Sequence, residues 1–339
     1  MAAGAVVGLT GATGYIGGLV LERLLASPDV AEVRSLARRP LVQAARVAQA
    51  GPPVSRDGPT SRLLHTLGDL RDATAVRGAL EGCDVVFHLA AQVWQGRGPR
   101  APELMHEVNV QGTRNVVAVG APVVLASSVS VYGAWPDNPL PLHEDHPARP
   151  NRECPYAAHK LASEQVCAAG REPWVAVRLA AVLGPRADQG VARAVLGYRV
   201  AVPAVSRAPQ AVQWMDEADA ADILLTAGKD LLGPGRAARQ VVNAGTSDWL
   251  SAPDAAALAR SRVVKAPRAL WVAAGELSRR LRLSPFGADR ACLVDGPLAV
   301  SVERADDLLG WGPTRSSVQV FGDALRRDAT SSPRLRPRP

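Results

Sequence analysis

The sequence predicts an α/β fold: a doubly wound parallel sheet with a smaller, mostly helical C-terminal lobe. Two observations carry the sheet, and the length leaves room for an appended lobe. Short aliphatic runs alternate with helical patterns through the first half of the chain, and a glycine-spaced turn joins the first run to the first helix. Strands alternating with helices imply right-handed crossovers and a sheet covered on both faces.

In chain order, strands are expected at residues 6–10, 33–38, 62–67, 85–89, 123–127 and 175–179. Most are short, aliphatic and uninterrupted, the pattern of strands buried on both sides. The first helix is expected at 16–26, with Ile16, Leu19, Val20 and Leu24 on one face. Residues 51–60 read as a surface loop before the third strand. No internal repeat is visible. The expected division is 1–183 with 212–246 for the sheet domain, 184–211 with 247–325 for the lobe, and 326–339 for a basic disordered tail.

Composition bounds the function. The chain has 339 residues, 47% hydrophobic and 21% charged, enough for a large core and unlike a disordered chain or a fibre. Aromatics are only 4%, so aliphatic side chains are expected to fill that core. The net charge of +7 draws heavily on residues 326–339, which hold five Arg against one Asp, and no basic run is interleaved with aromatics. Nucleic acid is therefore not an expected partner. Cys83, Cys154, Cys167 and Cys292 show no C-x-x-C spacing. Neither a disulfide framework nor a zinc site follows, and a reducing cytoplasm is the natural setting. Residues 1–21 carry no charge but include six Gly and no preceding basic segment. They suit neither a signal peptide nor a spanning helix, so no membrane partner is expected.

The turn after the first strand reads Thr10-Gly11-Ala12-Thr13-Gly14-Tyr15-Ile16-Gly17. Glycines at these positions let the backbone turn sharply and approach a pyrophosphate at the helix N-terminus. Gly11, Thr13, Gly14, Tyr15, Ile16 and Gly17 are thus candidate cofactor-binding residues. Such turns usually place an acid about 20 residues further on, to hold the ribose 2′-hydroxyl. Here that region is Ala37-Arg38-Arg39, without an acid. A carboxylate would repel a 2′-phosphate and a guanidinium can grip it, so NADP(H) is favoured over NAD(H), with Arg38 as its reader.

The chain has only three Lys (Lys160, Lys229, Lys265) and four Tyr, yet Tyr156 and Lys160 stand four apart at the start of a helical pattern. That spacing puts both on one helix face. A nearby ammonium favours phenolate, so the pair can exchange a proton with a substrate alcohol or carbonyl. Lys is not replaceable there by Arg without changing the geometry.

With these motifs the chain resembles an extended short-chain dehydrogenase/reductase of the NAD-dependent epimerase/dehydratase family, a Rossmann fold with a substrate-binding lobe. The resemblance runs through Gly68-Asp69-Leu70, His88-Leu89-Ala90-Ala91, Asn109-Val-Gln-Gly112-Thr113 and Ser127-Ser128-Val-Ser-Val-Tyr132-Gly133. It continues through Pro155-Tyr156 with Lys160, Arg178 to Gly184-Pro185, Asp219-Ala220-Ala221, and Glu303-Arg304-Ala305 with Leu308-Leu309-Gly310-Trp311. It implies that Asp69 and Leu70 flank the adenine and that Leu89, Ala90 and Ala91 line the dinucleotide. It further implies Tyr156 as the acid/base and Lys160 as the holder of the nicotinamide ribose. The family's hydroxyl stands three residues before Val-Tyr-Gly, which selects Ser128 over Ser127 or Ser130, to donate a hydrogen bond to the reacting oxygen. Asn109 and Asp219 are expected to hold backbone. Some family members pair through two helices per subunit, which makes a homodimer an expectation.

Other features read plainly. His143-Glu144-Asp145-His146 lies in a Pro-rich loop and is not taken as a metal site. His88 and His159 suit packing or the cofactor surround better than base catalysis. Trp94 could line the pocket or pack elsewhere.

Departures from the family narrow the reaction. Val129 and Ser130 stand where 4,6-dehydratases carry an Asp-Glu pair. Ala181 stands where sugar-nucleotide epimerases carry an Asn, and Val212 or its neighbours where they carry a diphosphate-binding Arg. The connection from Asn115 to Val123 is shortened, which affects the end of a helix. The segment Gln213-Trp214-Met215-Asp216-Glu217 is similar to that of poorly characterised actinobacterial members. What remains is hydride transfer between NADP(H) and a carbonyl or secondary alcohol of a small, apolar or mid-sized metabolite. A sugar-nucleotide epimerase with unfamiliar anchors and a non-catalytic NADP sensor are the alternatives. An intact Ser128–Tyr156–Lys160 set argues against the sensor.

Overall fold

The computed structural model describes residues 4–41, 62–94, 98, 100–187, 195, 197–205, 210–280 and 296–331. Its centre is a seven-stranded parallel sheet of β1 (Ala5–Thr10), β2 (Val30–Ala37), β3 (Arg62–Leu67), β4 (Val85–His88), β5 (Val123–Ser128), β6 (Trp174–Leu179) and β11 (Gln240–Ala244). The spatial order is β3-β2-β1-β4-β5-β6-β11. The order reverses between β1 and β4, and ligands bind such sheets in the crevice beyond the strand ends at that switch.

Two helical layers cover the sheet. On one face lie α1 (Tyr15–Leu25) and α6 (Glu217–Leu231), whose Leu19, Val20, Leu24, Ile223 and Leu224 pack on Val7, Leu9, Val85 and Phe87. On the other lie α2 (Ala73–Leu80), α4 (Gly112–Val117) and α5 (Pro155–Ala169). Their Val76, Leu80, Val116 and Cys167 pack on Val86, Val123 and Leu125. Alternate residues of each strand feed opposite cores, which explains the unbroken aliphatic runs. A single helical stretch leads into α4: α3 (Ala101–His106), then a π-turn over Glu107–Gln111. Helix α4 ends at Val117, so the shortened connection costs helix length and not the fold.

The expected strands are all present, with β2 starting three residues earlier and ending at Ala37, so that Arg38 lies beyond the strand. The loop at 51–60 lies outside the described residues. Strand β11 is not among the expected ones. It has only Val241 and Val242 as branched aliphatics and is an edge strand, paired to β6 alone.

The lobe contains α7 (Ala252–Ala259), α8 (Arg268–Arg280) and α10 (Ser317–Ser331), with short parallel pairs. These pairs join β8 (Val202–Val205) to β12 (Val263–Ala266), β7 (Ala181–Leu183) to β10 (Trp214–Asp216), and β9 (Ala211–Val212) to β13 (Pro297–Leu298). Its core departs from the aliphatic expectation: Trp214 stacks on Phe321 at 5.5 Å, and Tyr198 meets Phe321 edge-on at 5.4 Å. Leu298, Val300, Ala305 and Trp311, the last three in or beside α9 (Glu303–Leu309), pack into the core of the sheet domain and not into the lobe. Helix α10 continues to Ser331, past the expected start of the tail, and Arg326 pairs with Asp323 one turn before it. Residues 332–339 lie outside the described residues.

Candidate active site

The glycine turn is closed by backbone alone. Gly14 N donates to Gly11 O at 2.8 Å, and Gly11 has φ +83°, where a side chain is strained. A Cβ on Gly11 would sit 2.7 Å from Ala90 N, and one on Gly17 would sit 2.0 Å from Gly11 O. No side chain caps the N-terminus of α1 at Gly14, so its first N–H groups remain available to an anion.

A cleft of about 180 Å³ opens beyond this turn, and Gly11, Thr13, Gly14, Arg38, Asp69, Leu70, Leu89, Ala90 and Ala91 line it. Leu36, Ala37, Arg39, Gly68, Gln92 and Val108 complete the wall. Arg39 and Gly68 adjoin residues already singled out. Gln92 and Val108 had no local signal: Asn109 brings them together by accepting from Gln92 N at 2.7 Å and donating to Gln92 O at 2.9 Å. Asn109 thus holds backbone, as does Asp219, which accepts from Thr314 N at 3.0 Å. His65 fixes the segment after β2, its Nε2 donating to Arg39 O at 3.1 Å and its Nδ1 lying 2.7 Å from Ser35 Oγ. Arg71 holds the Asp69 carboxylate at 2.8 Å, and that hydrogen bond is the main cause of its lowered pKa.

Tyr15, Ile16 and Gly17 do not line the cleft. Ile16 packs against the sheet core. The Tyr15 hydroxyl donates to Glu217 Oε2 at 2.5 Å, and burial, with that carboxylate, pushes its pKa far up. The side chain of Tyr15 is thereby committed to α6, which leaves the backbone as its means of meeting a dinucleotide.

The groups expected to do chemistry come from β5 and α5. Pro155 opens α5, where its missing N–H costs nothing. The helix packs against β5 and the 3₁₀ turn Val129–Tyr132. Lys160 is buried, and its Nζ donates to Ala126 O at 2.6 Å. Ser127 and Ser128 separate cleanly. Ser127 Oγ donates to buried Glu164 at 2.5 Å, whereas Ser128 Oγ accepts from Ser130 Oγ at 2.9 Å and from Ser130 N at 3.2 Å. Ser128 therefore keeps its own proton for another acceptor.

The electrostatics correct one expectation. Lys160 Nζ lies 5.7 Å from the centre of the Tyr156 ring, and burial, with Cys154 adding to it, pushes the phenol up. The phenol is thus held protonated here. Burial lowers Lys160 to about 8, opposed by Glu164 and Cys167. His88 bridges Thr10 Oγ1 at 2.8 Å and Thr113 Oγ1 at 2.9 Å, and burial, with Lys160 nearby, drops it to about 3, so it is a neutral spacer. His159 is lowered by burial and by His106. Trp94 lies outside the cleft wall, its carbonyl accepting from Gln92 Nε2. Of the loop acids, Glu144 accepts from Asn243 N at 2.8 Å, and Glu144 and Asp145 both face Arg304, at 3.6 and 2.8 Å. Among the described residues no group of His, Cys, Asp and Glu could hold a metal, and no helix is long and apolar enough to cross a membrane.

A crevice at the strand-order switch, closed by a glycine turn that only backbone fits, defines a dinucleotide-binding α/β protein. The chain belongs to the NAD dependent epimerase/dehydratase family, whose profile matches residues 7–247. It is 38% identical over 108 residues to the N-acetyl-alpha-D-glucosaminyl-diphospho-ditrans,octacis-undecaprenol 4-epimerase of Escherichia coli O157:H7, covering 30% of each chain. It is 33% identical over 159 residues to the human 3 beta-hydroxysteroid dehydrogenase type 7, covering 44% of this chain and 38% of that one. Both alignments thus span well under half of the relative. The dTDP-glucose 4,6-dehydratase DesIV from Streptomyces venezuelae, with NAD and TYD bound, shares the fold at TM-score 0.67 and 22% identity over 96% of this chain and 97% of that one.

Proposed function

We propose that the protein is an NADP(H)-dependent oxidoreductase that interconverts a ketone and a secondary alcohol on a small, apolar or mid-sized metabolite. The observation that carries this is the Lys160–Ala126 hydrogen bond of 2.6 Å, which docks α5 on the strand ending in Ser128. Tyr156, one turn earlier on α5, is thereby brought towards the end of that strand. A dinucleotide held by the glycine turn and the cleft wall would supply the hydride for the reductive direction. Tyr156 gives its proton to the carbonyl oxygen, and Ser128 donates a hydrogen bond to that oxygen as charge builds on it. A phenol kept protonated by burial suits that donation. Arg38 and Arg39, both in the cleft wall, suit a 2′-phosphate.

The absent sugar anchors support an apolar substrate. The lobe has a cleft of its own of only about 10 Å³, walled by Tyr198, Val202, Gln210, Val212, Trp214, Leu250 and Ser251. The named activity of the hydroxysteroid dehydrogenase relative also points to an apolar substrate. The identity to a 4-epimerase favours a second reading, a sugar-nucleotide epimerase, which would retain its cofactor without exchange.

The test follows oxidation of NADPH, with NADH in parallel, across a panel of ketones and aldehydes for wild type and Tyr156→Phe. The expected loss is about 10³-fold in kcat with dinucleotide affinity kept, within the range of acid–base catalysis. Turnover that survives the substitution sinks the reading. A tightly held dinucleotide that never exchanges, with UDP-sugars as substrates, supports the epimerase instead.

A further inference from the structure

We propose that Glu164 is a positioning residue of this site: it clamps the helix carrying Tyr156 and Lys160 onto the strand ending in Ser128, and it stands one turn beyond Lys160 on that helix. The proposal rests on the Ser128–Tyr156–Lys160 reading. Tyr156, Lys160 and Glu164 follow one another at four-residue steps along one face of α5. Glu164 is 4% exposed. Its Oε1 accepts from Ser127 Oγ at 2.5 Å and Arg178 Nε at 3.0 Å, and its Oε2 accepts from Arg178 Nη2 at 2.7 Å.

Ser127 and Arg178 are register partners on β5 and β6, so one carboxylate grips two neighbouring strands. Lys160 meets Ala126, and Glu164 meets Ser127: the helix is fastened at the two residues directly before Ser128. The clamp continues through the Arg178 guanidinium, 4.7 Å from the centre of the Tyr132 ring, and Tyr132 Oη, which donates to Asn243 at 2.8 Å. Tyr132 closes the turn that Ser128 opens. An ordinary buried ion pair is replaceable by apolar side chains of similar volume. This one is placed differently, because two of the elements it joins carry the proposed reacting groups.

Its charge has a definite target. The titratable groups acting on Lys160 are Glu164 and Cys167 from its own helix, and His88 of β4 responds to it. Tyr156 presents its ring, and Ala126 of β5 its carbonyl. Cys167 is pushed up to about 12 and stays a thiol, and His88 stays neutral. Glu164 is the anion among these described groups.

The experiment uses the full chain labelled with ¹⁵N-lysine. Only three lysines are present, and the exposed Lys229 and Lys265 serve as references. In Glu164→Gln, Lys160 is expected to lose its proton about one pH unit lower than in wild type, the usual effect of removing a nearby opposite charge. The alkaline limb of the kcat/KM profile should move with it, and kcat should fall about tenfold with little change in KM. Ser127→Ala keeps the charge and loosens the clamp, so kcat falls several-fold while Lys160 titrates as in wild type. If the lone Arg178 prevents Glu164→Gln from folding, the paired change Glu164→Leu with Arg178→Met leaves no unpaired charge, and the same downward move of Lys160 is expected. A lower melting temperature with unmoved Lys160 titration and unchanged kcat overturns the proposal and makes Glu164 a purely structural residue. Loss of turnover in Tyr156→Phe beside that result would spare the oxidoreductase reading, whereas turnover surviving in Tyr156→Phe removes the reading itself.

Discussion

Two clefts among the described residues are walled by different materials. Around the glycine turn the wall is backbone: a Cβ on Gly11 would lie 2.7 Å from Ala90 N, so the residue type follows from the approach. In the lobe the wall is side chain, with the Tyr198, Trp214 and Phe321 rings packed together behind it. Many apolar combinations fill such a volume, because cores tolerate swaps that conserve size and pattern. The dinucleotide end therefore announces itself as a motif, whereas the lobe carries none.

That contrast can be broken or sharpened by measurement. The largest effect is expected from Gly11→Ala, which adds a clash to a left-handed backbone position. Displacing the turn by that collision should weaken dinucleotide binding about 100-fold in a fluorescence titration, the scale of misplacing a site by an ångström. Wild-type affinity in the Gly11→Ala protein would show that the backbone wall yields. Next comes Arg38→Ala. Loss of a charge-assisted contact of about 1.5–3 kcal/mol lowers NADPH affinity about 10- to 100-fold and leaves NADH unchanged. Equal effects on the two cofactors would remove Arg38 as the phosphate reader. Trp214→Phe, in the lobe, removes a ring from a packed aromatic core, so it should lower the urea midpoint by the equivalent of about 1–2 kcal/mol, while dinucleotide affinity stays at the wild-type value.

A further effect, again on stability rather than on binding, concerns the neutral spacer of the first region. His88 titrates near 3 when folded against 6.5 for an ordinary imidazole. Below pH 6.5 the unfolded chain takes up a proton that the folded chain refuses, so stability falls as pH drops towards 3, by at most about 1.4 kcal/mol per unit. Urea midpoints measured from pH 7 to 4 should fall less steeply in His88→Gln. An unchanged slope would assign the acid sensitivity to other groups.

Much of the fold was legible because its signals are local. Six strands stand out as aliphatic runs, but β11 does not: its Asn243 is buried for a reason elsewhere in the chain, donating from its backbone to Glu144 and accepting from Tyr132. In the cleft, Arg38 and Asp69 could be named from motif positions, while Gln92 and Val108 joined only through the Asn109 bridge. Tyr15 is the opposite case, its motif position being right for a dinucleotide and its side chain taken by Glu217 across the fold.

By itself the sequence determined the turn, the alternation of strands and helices, and the pairing of Tyr156 with Lys160. Each depends on φ/ψ or on helical spacing within a few residues. Only the tertiary structure decided that Ser127 faces Glu164 while Ser128 keeps its proton, that the Tyr156 phenol is pushed up, and that Lys160 is lowered to about 8. Those properties come from burial and from charges that distant strands bring within reach, and no local pattern encodes a desolvation energy.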